Sequence, residues 1–311
     1  MSSSLSGNNS SLINVSNSLA ECVEQVKRVT VAVNARENLP SSGVHWQRGV
    51  VVTAAHTIKR DEDLTVILPD GHTATATLLG LDPGTDLAAL KIDTPELPVA
   101  QWGDSSALKL GEIVLAVGCR GSMGHFASWG IVGGLGGPWQ TWRGIRIERF
   151  IRPELSIHPG FSGSALVNTL GLVVGLNTTG LSRRTPLAIP ANTVQRVVGE
   201  LVKKGRISRG FLGVGLQPVY LPDSLRKKLN LASLDGVILL GVEPDGPADK
   251  AGLLIGDVLL ELDGKTIAKI SDVQNILAPE YIGKKVKAVL VRAGARAECS
   301  ITIGERSTKQ D

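Results

Sequence analysis

One nonapeptide sets a serine among small residues: His158-Pro159-Gly160-Phe161-Ser162-Gly163-Ser164-Ala165-Leu166. A serine hydroxyl is a weak nucleophile unless a base accepts its proton and hydrogen-bond donors hold the oxyanion that its attack creates. Glycines two residues before and one residue after Ser162 free the backbone to direct N–H groups toward one point. The segment predicts a nucleophilic serine with an oxyanion hole at the N–H groups of Gly160 and Ser162. An ordinary turn in a glycine-rich β protein is the alternative.

Two segments upstream supply the partners that such a serine needs. A histidine ends the apolar segment Val52-Thr53-Ala54-Ala55-His56, and Asp86 directly precedes the apolar segment Leu87-Ala88-Ala89-Leu90. In a Ser-His-Asp site the imidazole accepts the hydroxyl proton while the carboxylate holds the other ring N–H. The order His, Asp, Ser excludes an α/β-hydrolase, in which the serine comes first. Asp82 is the alternative acid.

The composition bounds the class of protein. The chain has 311 residues, of which 42% are hydrophobic and 20% charged, as in a globular protein of about two domains. A net charge of +4 without a long Lys/Arg block argues against a nucleic-acid partner. Three widely spaced cysteines suggest no disulfide framework and a reducing compartment. No apolar run is long enough for a signal sequence or membrane span, so we expect a cytoplasmic protein.

Short strands dominate the first two thirds of the chain. Because no long helix separates them, they indicate an antiparallel sandwich or barrel. Residues 38–43 are predicted as a turn. Helices are predicted over 18–28, from a capping box at Ser18, and over 192–204, where Asn192 caps the helix and Gly205 ends it. Strands are predicted at 29–33, 49–54, 64–68, 72–81, 88–92, 113–118, 126–132, 145–151, 163–168 and 172–178.

Several longer segments resemble the HtrA, or DegP-like, serine proteases over residues 25–304. They are Thr53-Ala54-Ala55-His56, Asp82-Pro83-Gly84-Thr85-Asp86-Leu87-Ala88, Trp102-Gly103-Asp104-Ser105, Leu110-Gly111-Glu112, Gly130-Ile131-Val132, Ile157-His158-Pro159-Gly160-Phe161-Ser162-Gly163 and Ala188-Ile189-Pro190. The resemblance implies a mainly β protein, with a chymotrypsin-like double six-stranded β-barrel followed by a small mixed α/β PDZ domain. It implies that His56 is the general base, Asp86 its orienting acid and Ser162 the nucleophile.

The family pattern Asn-Pro-Gly-Asn-Ser-Gly-Gly-Pro differs here at four positions, which hold His158, Phe161, Ser164 and Ala165. Phe161 lies inside the oxyanion loop, and Ser164 replaces a glycine whose backbone angles can be special. Two functions follow from the resemblance. One is an endopeptidase that degrades unfolded or damaged proteins; the alternative is a catalytically degenerate peptide-binding or chaperone scaffold.

The resemblance also implies further site residues and partners. Ile157 and the segment Leu176-Asn177-Thr178 are expected to border a primary specificity pocket for small apolar residues. No cofactor is expected, and the histidines lack metal-ligand spacing. The family commonly forms homotrimers through N-terminal aromatic residues, whereas the first aromatic residue here is Trp46.

The C-terminal segment Arg209-Gly210-Phe211-Leu212-Gly213-Val214 resembles the carboxylate-binding loop of a PDZ domain. Backbone N–H groups of Gly210, Phe211, Leu212, Gly213 and Val214 would then bind a peptide's terminal carboxylate. A helix over 271–278 would form the other wall of the groove with Val273, Ile276 and Leu277. The alternative is a packed domain with an occluded groove. The predicted organisation is a disordered polar tail over 1–17, a protease domain over 18–205, a PDZ domain over 206–304 and a polar tail over 305–311.

Overall fold

The computed structural model describes residues 5–37, 39–93, 97–141, 145–182, 185–231, 234–277 and 279–305. Contacts divide the chain into two compact units, Met1–Ile207 and Ser208–Asp311. The remaining parts of the two predicted tails, residues 1–4 and 306–311, and the predicted last residue of the 271–278 helix, Ala278, lie outside the described residues.

Antiparallel strands form most of the first unit. Its elements are the helices α1 (Leu5–Lys27) and α2 (Ala191–Lys204), and the strands β1 (Thr30–Asn34), β2 (Ser41–Gln47), β3 (Val50–Ala54), β4 (Leu64–Ile67), β5 (Thr73–Asp82), β6 (Leu87–Ile92), β7 (Ile113–Cys119), β8 (His125–Gly136), β9 (Trp139–Gln140), β10 (Arg146–Ile147), β11 (Phe150–Glu154), β12 (Ala165–Asn168), β13 (Val173–Thr178) and β14 (Leu187–Pro190). Short 3₁₀ helices lie at Ala55–Thr57, Ser105–Ala107 and Gly121–Met123.

Twelve of these strands build two six-stranded sheets, and β9 and β10 form a separate two-stranded sheet. The first closes into a barrel in the order β1-β2-β3-β6-β5-β4, and the second has the order β11-β8-β7-β12-β13-β14. One apolar cluster contains residues of both sheets. Strands such as β3 contribute to it because they are buried along their whole length. Its members include Val52, Leu87, Val117, Leu176 and Ile189. The predicted double-barrel, mainly β fold is confirmed.

The N-terminal helix is longer than predicted. The structure continues α1 back to Leu5, so the prediction of a disordered tail is wrong for residues 5–17, and Ser18 lies inside the helix rather than at its cap. Two residues one helical turn apart anchor the helix, since Cys22 and Val26 are buried in the core. Once such a turn is fixed, propagation adds one hydrogen bond per residue, so even weak helix formers extend the helix.

Two other local predictions are corrected. Ser41, Ser42 and Gly43, predicted as part of a turn, belong to β2 and are buried. Asn192 does not cap α2, because Pro190 occupies the N-cap and the Asn192 side chain donates to Asp104 Oδ1 at 3.1 Å. The predicted stop is confirmed. Gly205 has φ +72° and donates its N–H to Leu201 O at 2.8 Å.

The second unit is a smaller mixed α/β fold. Its sheet has the order β16-β17-β18-β20-β21, with β19 paired to β18, and β15 pairs with β22. The elements are β15 (Gly210–Phe211), β16 (Val214–Tyr220), α3 (Asp223–Leu229), β17 (Asp235–Val242), α4 (Pro247–Lys250), β18 (Val258–Leu262), β19 (Lys265–Thr266), α5 (Ile270–Ile276), a 3₁₀ helix (Pro279–Tyr281), β20 (Lys285–Arg292), β21 (Ala295–Thr302) and β22 (Gly304–Glu305). It has its own apolar core, as predicted.

Candidate active site

Strand pairing in the first barrel brings the histidine and the aspartate together. The 3₁₀ helix Ala55–Thr57 carries His56 directly after β3, and Asp86 directly precedes β6, the strand that pairs with β3. His56 Nδ1 lies 2.8 Å from Asp86 Oδ2 and 3.0 Å from Oδ1. The backbone is fixed as well, since the His56 N–H donates to Asp86 Oδ1 at 2.8 Å and the Ala55 N–H donates to Asp86 O at 3.1 Å.

Asp86 is buried and fully engaged. Its backbone adopts the left-handed region with φ +61°, which aspartate tolerates better than most residues. The second barrel reaches it through Thr178, whose hydroxyl donates to Oδ2. Asp82, the alternative acid, instead accepts hydrogen bonds within its own turn, from the N–H groups of Gly84 and Thr85 at 3.2 Å. Of the two acids, the structure places Asp86 against His56.

The loop that carries Ser162 is held by the first barrel. Ser42 of β2 donates its N–H to Ser162 O at 3.1 Å and its hydroxyl to Gly160 O at 2.9 Å. Gly163 has φ +88°, and a Cβ there would lie 2.1 Å from Ser42 O. Only glycine fits at this close approach. Small residues around the serine are therefore required by packing against β2 as well as by the turn.

Two N–H groups of this loop are available to a ligand. The N–H groups of Phe161, Gly163 and Ser164 donate to the carbonyls of His158, Asn177 and Phe161. Those of Gly160 and Ser162, the two predicted oxyanion donors, find no acceptor among the described residues. Buried or half-buried N–H groups normally have a partner, so these two are suited to hold a developing negative charge.

The structure accommodates Phe161 and Ser164, the two departures from the family pattern that bear on the oxyanion loop. Phe161 is fully buried and packs edge-on against the ring of His158, with ring centroids 5.8 Å apart. Ser164 needs no left-handed backbone, and its hydroxyl accepts a hydrogen bond from Asn177 Nδ2 at 3.0 Å. The absence of a side chain at Gly118 leaves room for it, because a Cβ there would lie 3.1 Å from Ser164 Cβ. Neither departure removes a free N–H donor.

Thr179 lies between the serine and the histidine. Ser162 Oγ is 3.1 Å from Thr179 Oγ1, which in turn is 3.5 Å from His56 Nε2. No direct hydrogen bond joins Ser162 and His56, although the structure describes both residues. Next along the chain, Gly180 is so close that a Cβ would lie 2.5 Å from Asp86 Oδ2 and 2.6 Å from His56 Nδ1.

The residues predicted to border the specificity pocket divide into two groups. Ile157 is partly exposed and lies two residues before Pro159 on the same loop. Leu176 is fully buried in the apolar core. Asn177 and Thr178 are also buried and are committed to Ser164 and Asp86. All 6 residues of β13 are buried, and the placement of this segment at a specificity pocket stays a prediction.

The predicted carboxylate loop of the second unit lies beside the end of α5. Gly210 donates its N–H to Leu277 O at 2.9 Å, and a Cβ at Gly210 would lie 2.9 Å from Leu277 Cα. The N–H groups of Leu212 and Gly213 have no acceptor among the described residues, as a carboxylate site requires. Val273 and Ile276, however, are fully buried core residues, so they are not exposed groove walls.

Comparisons with known proteins define the family. A family model for the trypsin-like peptidase domain matches residues 41–176, and one for the PDZ domain matches residues 210–303. The HtrA-type protease AlgW, solved with a tripeptide, is 31% identical with a TM-score of 0.73, and the match covers 93% of this chain and 97% of that one. The serine endoprotease from Yersinia pestis is 29% identical with a TM-score of 0.74, and the match covers 93% and 98%. The chain belongs to the HtrA family of serine proteases.

Curated relatives agree with this membership. Proteins named probable periplasmic serine endoprotease DegP-like are 35% identical over 273 residues in Pseudomonas putida and 32% identical over 275 residues in Halomonas elongata. The matches cover 86% and 87% of this chain, but 56% and 57% of those proteins. The chain thus spans a little more than half the length of the curated relatives.

The relatives' names overturn one expectation. They point to the periplasm, so the prediction of a cytoplasmic location is wrong. The unpaired cysteines were a poor indicator of a reducing compartment, because Cys22 and Cys119 are buried free thiols that the solvent does not reach. Burial raises the pKa of both thiols, which keeps them protonated and unreactive. Within the described ranges, none of the helices combines the length and the apolar character needed to cross a bilayer.

Proposed function

We propose that this chain is a serine endopeptidase in which His56, Asp86 and Ser162 form the catalytic triad. The observation that carries the proposal is the contact of His56 Nδ1 with the buried Asp86 carboxylate, made beside a serine loop with two unpaired N–H groups. Family membership supports the same assignment. The competing function, a degenerate scaffold, has less support because no triad member or oxyanion donor is missing.

The geometry assigns each group a role. Asp86 holds the proton on Nδ1, which leaves the lone pair of Nε2 as the base. Nε2 takes the hydroxyl proton of Ser162, and Oγ adds to the peptide carbonyl carbon. The N–H groups of Gly160 and Ser162 hold the resulting oxyanion, a contribution of about 3 to 4 kcal/mol per donor. His56 then protonates the leaving amine as the C–N bond breaks, and water hydrolyses the acyl-enzyme by the same steps.

The proposed substrates are unfolded or damaged polypeptides, with Ile157 at the entrance of the primary specificity pocket. No cofactor takes part, because each group required for acyl transfer comes from the chain. By the names of its relatives, the protein works in the periplasm. A homotrimer stays a prediction, which light scattering on the purified protein would check.

We propose that the C-terminal PDZ domain binds peptide C-termini. The unpaired N–H groups of Leu212 and Gly213 support a carboxylate site there. AlgW, a relative of similar architecture, has been solved with a decapeptide and with a tripeptide. The partly buried Leu277, at the end of α5, is the residue of the predicted groove wall that remains near the surface.

Cleavage of unfolded casein by the wild type and by Ser162→Ala tests the function. We expect the substitution to lower the rate by about 10⁶-fold, since a nucleophile cannot be replaced by its neighbours. A serine-reactive fluorophosphonate should label the wild type and not the variant. Ser224→Ala, an exposed serine of α3, is the matched control and should be labelled and active. Wild-type cleavage no faster than that of Ser162→Ala would refute the endopeptidase.

A further inference from the structure

The proton of the Ser162 hydroxyl is directed away from the base. Because His56 Nδ1 keeps its proton for Asp86, Nε2 is an acceptor. The hydroxyl of Thr179, 3.5 Å from Nε2, is therefore the donor in that contact. With its own proton directed at Nε2, the Thr179 hydroxyl can only accept from Ser162 Oγ, 3.1 Å away, so we assign the serine as the donor in this pair. A nucleophile bonded in this way has not yet engaged its base.

We propose that Thr179 is a further residue of the catalytic site, which holds the Ser162 hydroxyl off His56 until substrate enters. This inference rests on the proposed function. A proton relay from Ser162 through Thr179 to His56 is the competing role for the same hydroxyl. The 3.5 Å contact between Thr179 Oγ1 and His56 Nε2 is a long hydrogen bond, enough to orient the threonine hydroxyl but a weak path for a proton, so we favour the holding role and leave the relay to the test.

Release of the serine needs no rearrangement of the barrels. Thr179 is exposed, whereas Ser162 is 6% exposed and Asp86 is buried. Exposed side chains change rotamer within picoseconds to nanoseconds. A substrate carbonyl that approaches Ser162 Oγ enters the space beside Thr179 and displaces the threonine hydroxyl to solvent. The Ser162 hydroxyl then rotates toward His56 Nε2. The activation free energy therefore includes the loss of one hydrogen bond, the one to Thr179.

The test is the second-order rate of inactivation by a small fluorophosphonate, which reacts at Ser162 without occupying an extended peptide site. The variants are Thr179→Val, which keeps the shape and loses the hydroxyl, and Thr179→Ser, which keeps the hydroxyl. We expect Thr179→Val to react about two- to tenfold faster than the wild type, the factor carried by one neutral hydrogen bond. Thr179→Ser should react at the wild-type rate, which a purely steric role for the γ-methyl group would not allow.

The outcomes separate this inference from the proposed function. If the wild type is labelled and Thr179→Val is inactivated at the same rate, the holding role is overturned and the proposed endopeptidase function stands. Labelling of the wild type with Thr179→Val slower would instead make the hydroxyl a proton relay, and would equally overturn the proposal. Absence of label from every variant would overturn both. Thermal unfolding of each variant confirms that it is folded, as expected for a substitution at an exposed position.

Discussion

The two barrels fix their proposed catalytic side chains to different degrees. In the first barrel, Asp86 binds His56 through its side chain and its backbone, with contacts of 2.8 to 3.1 Å, and its backbone is fixed by the pairing of β3 with β6. In the second barrel, the exposed Thr179 is the one partner that the Ser162 hydroxyl has among the described residues. The proposed base is therefore held in place before substrate binds, whereas the hydroxyl of the proposed nucleophile is held away from that base.

This difference follows from how each residue reaches the site. His56 and Asp86 lie 30 positions apart but at facing ends of paired strands, so the sheet itself sets their separation. Ser162 lies on a loop whose backbone is fixed by Ser42 but whose hydroxyl is free to rotate. A preorganised base needs no reorganisation free energy when the reaction occurs, and a hydroxyl that can rotate can turn toward that base after substrate binds.

The largest test of the comparison removes the charge of Asp86, the carboxylate that orients the proposed base His56. We expect Asp86→Asn to lower kcat by about 10⁴-fold, because the amide cannot hold the same imidazole tautomer. Casein or peptide hydrolysis measures the effect. Asp82→Asn, which alters the neighbouring turn, should retain activity far above that level once its folding is confirmed. An equal loss in both variants would mean that the acid has been assigned wrongly.

A smaller test displaces the base without changing its chemistry. A Cβ at Gly180 would lie about where the Asp86 and His56 contact atoms need space, at 2.5 and 2.6 Å from them. We expect Gly180→Ala to lower kcat by about 10²-fold, the cost of a misplacement near 1 Å. Gly199→Ala is the matched control. Nothing lies within 4 Å of its Cβ position inside α2, so it should keep full activity and gain about 0.5 to 1 kcal/mol of stability.

The smallest test concerns the stability of the first barrel. His45 of β2 is fully buried, with Nδ1 2.7 Å from Pro98 O and Nε2 accepting the Gly49 N–H at 3.2 Å. Burial lowers the pKa of His45, opposed by the hydrogen bond to Pro98. The unfolded chain, with an ordinary histidine pKa near 6.5, therefore binds the proton more readily.

Stability should accordingly fall as pH falls below about 6.5, by at most about 1.4 kcal/mol per pH unit for this one group. Urea unfolding at pH 7.5 and pH 5.5 measures the change. His45→Gln should show a shallower decline than the wild type, whereas His72→Gln, at an exposed position, should show the wild-type slope. Equal slopes for the wild type and His45→Gln would rule out the buried histidine as the cause.

Much of this architecture follows from local sequence. The short, apolar strands separated by turns predict an antiparallel sandwich or barrel, and the resemblance to the HtrA proteases narrows this to a double barrel. The contact of His56 with Asp86 is predictable because each flanks an apolar strand. The signals that fail are those whose partners lie far along the chain. Ser41, Ser42 and Gly43 were expected in a turn, yet they pair within the barrel as part of β2.

Three residues that contribute to the site could not be predicted from the sequence, because their partners also lie far along the chain. Ser42 stands among residues typical of turns, and it is buried only because Cys119 and Gly160, 77 and 118 positions away, supply its hydrogen-bond partners. Thr179 and Gly180 follow the last predicted strand, where alternation ends and no local pattern assigns a role. For Ser42 the sequence offers one signal, which is that a serine and a glycine stand directly before the alternating residues of β2.

Because Ser42 connects the two barrels, the site is complete only after both barrels have folded and docked. It belongs to the first barrel, yet its N–H and hydroxyl hold the carbonyls of Ser162 and Gly160 in the second, and its oxygen accepts the Cys119 N–H at 3.1 Å. A chain emerging from the ribosome or the translocation machinery with one barrel formed has no such brace for its serine loop. Docking of the two barrels is therefore needed to brace the serine loop, and we expect a copy with one folded barrel to lack the assembled site.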